Sequence, residues 1–155
     1  MVKVTFAQLP GLISMYKHRL DAVVKQSAHD VAEIANQAGP NAKERGGGPP
    51  VQGKVPVDFS FLRNSFVSSL AGSTSLTGPE SYVMVAGQMK AGDVANFGWT
   101  AEYAARINYG YTGTDSLGRK YNQTGAHFVE GAVDQWQSIV RKNVARVRKE
   151  LGYDS

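Results

Sequence analysis

The chain contains no cysteine in its 155 residues. That excludes disulfide frameworks, thiolate zinc sites, iron–sulfur clusters and cysteine nucleophiles together. Charge is also sparse: Asp, Glu, Lys and Arg supply 19% of the residues, against about a quarter in an average soluble domain. No run approaches the ~20 apolar residues of a bilayer span, so no membrane partner is expected. Met1–Thr5 lack the apolar run and small-residue cleavage site of a secretory signal. A hydrophobic share of 42% is too high for a disordered chain. The length fits a single domain, 1–155, that can bury a core without staples.

Histidine is scarce as well, with His18, His29 and His127 the whole supply. No H-E-x-x-H zinc motif and no G-x-S-x-G nucleophile elbow occurs. His127, Glu130 and Asp134 share a helical face at i, i+3 and i+7, a spacing that metal ligands can adopt. They lie opposite an apolar stripe, where solvated side chains belong. His29 and Glu33, at i and i+4, read as a local helix pair. Gly113–Lys120 approaches the phosphate-loop pattern G-x-x-x-x-G-K-[ST], but its lysine is displaced by one position. Tyr121 follows it, where a metal-ligating hydroxyl is required. A surface or interface loop is the better reading. Without a convergent site, no catalytic residue, cofactor or metal is assigned, and the expectation is a protein that is not an enzyme.

What the chain does have is helix, glycine and tyrosine. Leu12, Ile13, Tyr16, Leu20, Val23, Val24, Val31, Ile34, Ala35 and Ala38 recur at helical spacing. They predict a helix from Pro10 to Ala38 that stops at Gly39-Pro40. Residues 39–57 form a Gly/Pro arm with no regular packing pattern. An ordered arm of this kind needs something to lie against, and a neighbouring subunit is one candidate. Phe61–Leu70 and Tyr82–Ala86 read as antiparallel strands joined by the turn Gly72–Glu80, with Phe97-Gly98-Trp99 as a third strand. Thr100–Ile107 predicts a short helix capped by Thr100. Residues 108–125 read as a second Gly/Tyr-rich loop. A final helix, Ala126–Leu151, aligns Phe128, Ala132, Trp136, Ile139, Val140 and Val147 on one face. Trp99 and Trp136 are expected in the core or at an interface. The fold class is therefore α+β: a small antiparallel sheet packed with two long helices, one at each end of the chain, and two long Gly-rich loops.

Lys and Arg number 17 against 13 Asp and Glu, for a net charge of +4. The cations are scattered except for Arg141, Lys142, Arg146, Arg148 and Lys149 near the C-terminus. A nucleic-acid-binding module using this basic helix is the alternative function. A solvated helix end, whose cations suit the helix dipole, explains the same run.

Three patches together resemble one family. Val55–Phe66 is similar to the P-V-D-T-G-x-L-R-x-S signature of the tail-component family of long-tailed bacteriophages, which includes neck, tail-completion and tail-terminator-like proteins. Tyr103–Gly110 resembles its Y-A-x-x-V-E-x-G, and Ala126–Ala132 its P-F-x-x-x-A. Phe59-Ser60 stands where the family has Thr-Gly, and Asn108 where it has glutamate. The matching positions are Pro56, Asp58, Leu62, Arg63, Ser65, Tyr103, Ala104, Gly110, Phe128 and Ala132. The resemblance implies a virion structural protein at the head–tail junction, assembled in the host cytoplasm. It implies a homo-oligomeric, hexameric ring that completes or terminates the tail tube and meets the head-completion or connector protein. Tail tube protein is a further implied partner, and genomic DNA in the lumen is at most weakly contacted. The 39–57 arm and the 108–125 loop are expected to meet neighbouring subunits or adjoining rings. Asp58 is expected to accept backbone N–H bonds at its turn, Arg63 to meet a carboxylate, and Glu102 to pair with Arg106.

Overall fold

A 27-residue helix, α1 (Leu9–Ala35), is the spine of the molecule. At 1.5 Å per residue it runs about 40 Å. The computed structural model describes residues 7–58, 60–71, 73 and 75–152. Met1–Thr5, Phe59 of the first motif, and Gly72 and Thr74 of the turn expected there lie outside the described residues. Pro10 sits in the first turn of α1, where its missing N–H costs nothing. The helix ends three residues before the predicted Ala38. Asn36 takes over as its C-cap, and the backbone N–H of Asn36 donates to Ala32 O at 3.0 Å.

Two short parallel strands follow, β1 (Ala38–Gly39) and β2 (Val55–Pro56), paired across the base of the Gly/Pro arm. Phe61–Asn64 then forms a single helical turn, α2, and only Phe66–Leu70 is strand, β3. The strand expected over the whole of Phe61–Leu70 is thus cut in half, with Ser65 as the break. β4 (Leu76–Thr77) and β5 (Ala95–Trp99) flank β3 on either side, giving an antiparallel sheet of order β4-β3-β5. Phe66 lies opposite Trp99 and Leu70 opposite Ala95. The predicted third strand at Phe97–Trp99 is present, inside β5.

Ser81–Gln88 is a helix, α3, where the sequence pattern predicts a strand. Tyr82, Val85, Ala86 and Met89 are buried, while Val83 and Met84 face water. That is a period of three to four, which only a helix satisfies. The β-forming character of Tyr-Val-Met-Val yields to the packing of α3 on α1 and β3. Buried Ser68 of β3 and Ser81 of α3 share a hydroxyl–hydroxyl bond of 2.8 Å that fixes the helix start on the sheet.

The predicted helix at Thr100–Ile107 begins later, as α4 (Ala104–Tyr109), with Tyr103 at its N-cap. Thr100 does not cap it. Its hydroxyl donates to Ser65 O at 3.2 Å instead. The expected loop 108–125 is a hairpin, β6 (Gly110–Thr114) and β7 (Lys120–Thr124). Asp115 builds its tip by accepting from the backbone N–H groups of Leu117 and Arg119, both at 2.9 Å. The segment that approximates a phosphate loop is therefore a strand–turn–strand and opens no helix. Arg106 lies over Tyr111 and Tyr121, with its guanidinium 4.4 and 4.6 Å from the ring centroids. It does so in place of the expected pairing with Glu102.

The last helix is two helices, α5 (Phe128–Val133) and α6 (Trp136–Glu150). The break falls where the Gln135 amide donates to Gly131 O at 2.8 Å and interrupts the ladder. Phe128, Ala132, Ile139 and Val147 are buried as predicted. Trp136, predicted on the same face, is 43% exposed because it follows the break. Trp99 is the core tryptophan: its ring meets Phe66 at 4.9 Å and Phe128 at 4.8 Å. It joins the cluster of Ala32, Phe66 and Tyr82 to that of Val55, Leu62, Ala101, Ala126 and Phe128. The α+β class with a small antiparallel sheet and two long terminal helical segments holds.

Candidate functional site

The three motif segments come from distant parts of the chain and meet in one place. Leu62 (first motif) and Phe128 (third) are both buried in the cluster of Val55, Ala101 and Ala126, and Ala104 and Ile107 (second) pack against it. Ser65 is the polar hinge of this assembly. Its hydroxyl donates to Leu62 O at 2.8 Å and accepts from the Ala101 N–H at 3.2 Å. Ala132 is 1% exposed, in a region where α5 packs on α1. Leu62, Ser65, Phe128 and Ala132 therefore hold the subunit together and have no surface to offer a partner.

Asn108, where the family pattern has glutamate, links the second motif to the third. It is 2% exposed. Its amide N–H donates to Glu130 Oε2 at 2.8 Å, and its Oδ1 accepts from the Val129 N–H at 3.1 Å. A side chain from another element thus caps the first turn of α5, whose own N-cap, His127, makes no capping bond. Burial works to raise the Glu130 pKa, but the bond from Asn108, the backbone bond within Glu130 itself, the nearby His127 and the bond from Tyr109 together outweigh it, and the net shift is downward. His127 Nδ1 lies 3.8 Å from Glu130. Asp134 joins no three-member group at metal-ligand spacing among the described residues.

The one such group among them is His29, Asp30 and Glu33, whose ligand atoms lie within 4.8 Å of one another. The Asp30 oxygens are already occupied. Gln26 donates to Oδ1 at 2.7 Å and Asn143 to Oδ2 at 3.0 Å, with Lys142 at 4.0 Å and His29 at 3.4 Å. The group is a tie between α1 and α6, whose member Asn143 is 1% exposed. Burial opposes ionisation of Asp30, yet the bonds from Asn143, Gln26 and His29 with the Lys142 charge leave its pKa below the ordinary 3.8. A folded pKa depressed in this way contributes stability that is present above the unfolded value and lost as pH falls through the folded one. Urea midpoints should therefore hold steady from pH 7 to about 5 and drop below pH 4. Asp30→Asn should flatten that drop; an acid limb as steep as that of the unsubstituted chain would remove Asp30 from it. Asn143→Ala should cost about 1–3 kcal/mol, the usual penalty for orphaning a buried polar partner.

The remaining motif positions are local fasteners or surface. The Asp58 carboxylate accepts from the Ala42 N–H at 2.5 Å, so it pins the arm rather than its own turn. Arg63 donates to Asn36 O at 3.3 Å and meets Glu80 at 3.5 Å, the predicted carboxylate pairing. Gly110 adopts φ +82° and ψ 178°, a region reserved for glycine. Pro56 is half-buried and lines a shallow pocket with Phe61, Leu62, Tyr103 and Ile107. Phe61 and Tyr103 are 61% and 40% exposed, with ring centroids 6.2 Å apart. This aromatic pair is the outward face of the motif cluster. Tyr103 is legible in the sequence as a motif residue, and Phe61 lies within the first motif without being singled out by it.

The arm has a support within the chain itself. The Gly53 N–H donates to Ala126 O at 2.7 Å and the Gln52 amide to Gly125 O at 2.8 Å. Its distal turn is closed by Asn41 and Glu44, each accepting from the other's backbone N–H at 2.9 and 2.8 Å. The order of the arm therefore comes at least in part from the subunit itself. Its Ala42–Gly47 tip is largely exposed. The hairpin is likewise open: β6 pairs only with β7, so each strand of this two-stranded ribbon has a free edge among the described residues.

No protein-family model, curated protein or solved structure matches the chain. Among the described residues, no helix is long and apolar enough to cross a membrane.

Proposed function

We propose that this protein is a structural subunit of a long-tailed bacteriophage virion. Its copies form a ring, hexameric by analogy with the family it resembles, at the head–tail junction. The ring completes or terminates the tail tube and joins it to the head connector. The observation that carries this reading is the convergence of the three motif segments. Residues that match the family's patches at Leu62, Ala104 and Phe128 share one cluster, while Phe61 and Tyr103 stand exposed on its outer side. Motif spacing of that kind reflects a common folding unit, and the aromatic pair is the type of side chain enriched where subunits meet. The two free-edged strands of the hairpin supply a second surface, suited to strand pairing with an adjacent copy. A ring with head-to-tail contacts needs two different patches on each subunit.

Native mass spectrometry of the purified chain, alone and with tail tube protein, tests this reading. A closed oligomer in either sample, and a tail-end location for the chain in virions by electron microscopy, is the expected outcome. A chain that stays monomeric under both conditions and never copurifies with tails overturns it. Tyr103→Ala should weaken the oligomer while leaving the urea midpoint within about 1 kcal/mol of the unsubstituted chain, since a half-exposed side chain contributes little to folding.

Duplex binding through α6 has less behind it. Lys142 is turned to Asp30 and Arg146 to Glu150 at 2.7 Å.

A further inference from the structure

Helix α6 runs antiparallel to α1: Asn143 bonds to Ser27 and Asp30, and farther along both helices Leu151 shares a groove with Tyr16. The two helices lie side by side as an antiparallel pair. Toward its middle α1 is covered by neighbours: Ala28 packs against Ala86 and Met89, and Asp21 accepts from the Ala91 N–H at 2.8 Å. N-terminal to that point the apolar stripe continues as Leu9, Ile13, Tyr16 and Leu20, at 43–63% exposure. Val144 of α6 and Leu151, its C-cap, 38% and 47% exposed, continue it across the groove. The groove has a volume of about 560 Å³, and Arg19 and Arg148 are among the residues that line it. A concave apolar trough between two helices fits a third helix better than it fits a flat surface.

The charge on its walls selects the kind of helix. Helix α6 alone carries five Lys and Arg against one Glu, an excess equal to the net charge of the whole chain. Arg19 lines the groove from α1. Arg148 makes no ion pair among the described residues, whereas Arg146 already has Glu150. A second copy seated on the same face would bring these like charges together. We propose that the groove between the first half of α1 and the second half of α6 docks an amphipathic helix of a partner protein that carries Asp and Glu beside its apolar stripe. Leu20 and Tyr16 receive the stripe, and Arg148 meets a flanking carboxylate. This inference stands apart from the ring reading, because it requires neither a ring nor a virion.

The test uses the full chain and a fluorescein-labelled helical peptide of about four turns, with leucine at every third and fourth position and glutamate between. A second peptide has lysine in place of each glutamate. Fluorescence anisotropy should show binding of the acidic peptide that is about tenfold tighter than that of the lysine peptide. Leu20→Glu should weaken it by at least about tenfold with an unchanged circular-dichroism melt, since Leu20 is 54% exposed and its loss leaves the core intact. Arg148→Glu should weaken the acidic peptide and tighten the lysine peptide. Equal binding of the two peptides, or acidic-peptide binding indifferent to both substitutions, overturns the proposal. So does a dimer that Leu20→Glu converts to monomer, which would make a second copy the occupant. Leu20-dependent sedimentation with phosphatidylserine vesicles that the acidic peptide fails to compete away also overturns it, in favour of a lipid surface.

Discussion

Phe128→Ala is expected to lower the unfolding free energy by about 3–5 kcal/mol, the usual range for removing a buried phenyl ring. Phe128 is 1% exposed and lies edge-on to Trp99 at 4.8 Å, in a cluster with Val55, Leu62, Ala101 and Ala126. The ring is the point where the arm base, the α2 turn and the start of α5 share one interior. Its removal leaves a void bounded by Leu62, Trp99 and the Ala126 backbone, which cannot all close on it. Domains of this size hold only about 5–15 kcal/mol in total, so the variant should sit near the edge of folding. A urea titration followed by tryptophan fluorescence measures the loss, and Trp99 itself reports on the site. A midpoint shift under about 1 kcal/mol would show that Phe128 is not a keystone and would undercut the shared cluster. Set beside Tyr103→Ala, the experiment separates motif residues that fold the subunit from one that faces outward.

Gly110→Ala is the second large effect, with an expected cost of about 3 kcal/mol from backbone strain and overpacking combined. At φ +82° and ψ 178° the backbone occupies a region that a Cβ disfavours strongly. The added methyl would also press on the Gln123 carbonyl and lie 2.7 Å from the Gly125 nitrogen, and both are backbone atoms that cannot swing aside. Gly110 sits opposite Thr124 at the base of the hairpin. Just beyond it, Ala126 and His127 donate to the carbonyls of Ile107 and Asn108 at 2.9 Å each. A strained Gly110 therefore pries apart the join between the second and third motifs. Amide exchange should accelerate across residues 110–124 and at Ala126 and His127, while β3 and β5 remain protected. Uniform acceleration through β3 would mean that the hairpin base and the core open together. Protection at 110–124 equal to that of the unsubstituted chain would show that the backbone relaxes at no cost.

These two residues also mark how far the sequence is legible. Phe128 can be assigned to the core from the apolar stripe of the last helix, because a 3.6-residue period is a property of local sequence. The same logic places α1 and the apolar face shared by α5 and α6. The α3 segment misleads because five residues of Tyr-Val-Met-Val-Ala satisfy both periods. Only the position of α1, which needs a helix against Ala28 and Ala32, selects between them. The hairpin at 110–124 is hidden for a related reason. Its strands are Gly, Thr, Tyr, Asn and Gln with little apolar alternation, and its register is set by Asp115 at the tip and by the glycine contact at the base. Neither signal lies in hydrophobicity.

The candidate site divides the same way. The motif residues could be picked out one by one from the sequence, and Arg63 finds the carboxylate expected of it. That Leu62, Ser65, Ala104, Asn108 and Phe128 belong to a single assembly could not, since their contacts join segments remote from one another in the chain. The exposed pair of Phe61 and Tyr103 and the open groove beside Leu20 are likewise invisible to pattern reading. An amphipathic stripe looks identical whether its apolar face is covered or bare.

Composition and periodicity by themselves determined a cysteine-free α+β chain with a long helical segment at each end, because they depend only on residue type and spacing. The tertiary structure alone decided that the arm rests on the Gly125–Ala126 backbone, that Tyr82–Ala86 is helical, and which apolar faces stay exposed. Those outcomes depend on which surfaces are left once every other element has been placed, a sum over the whole fold that no local window contains.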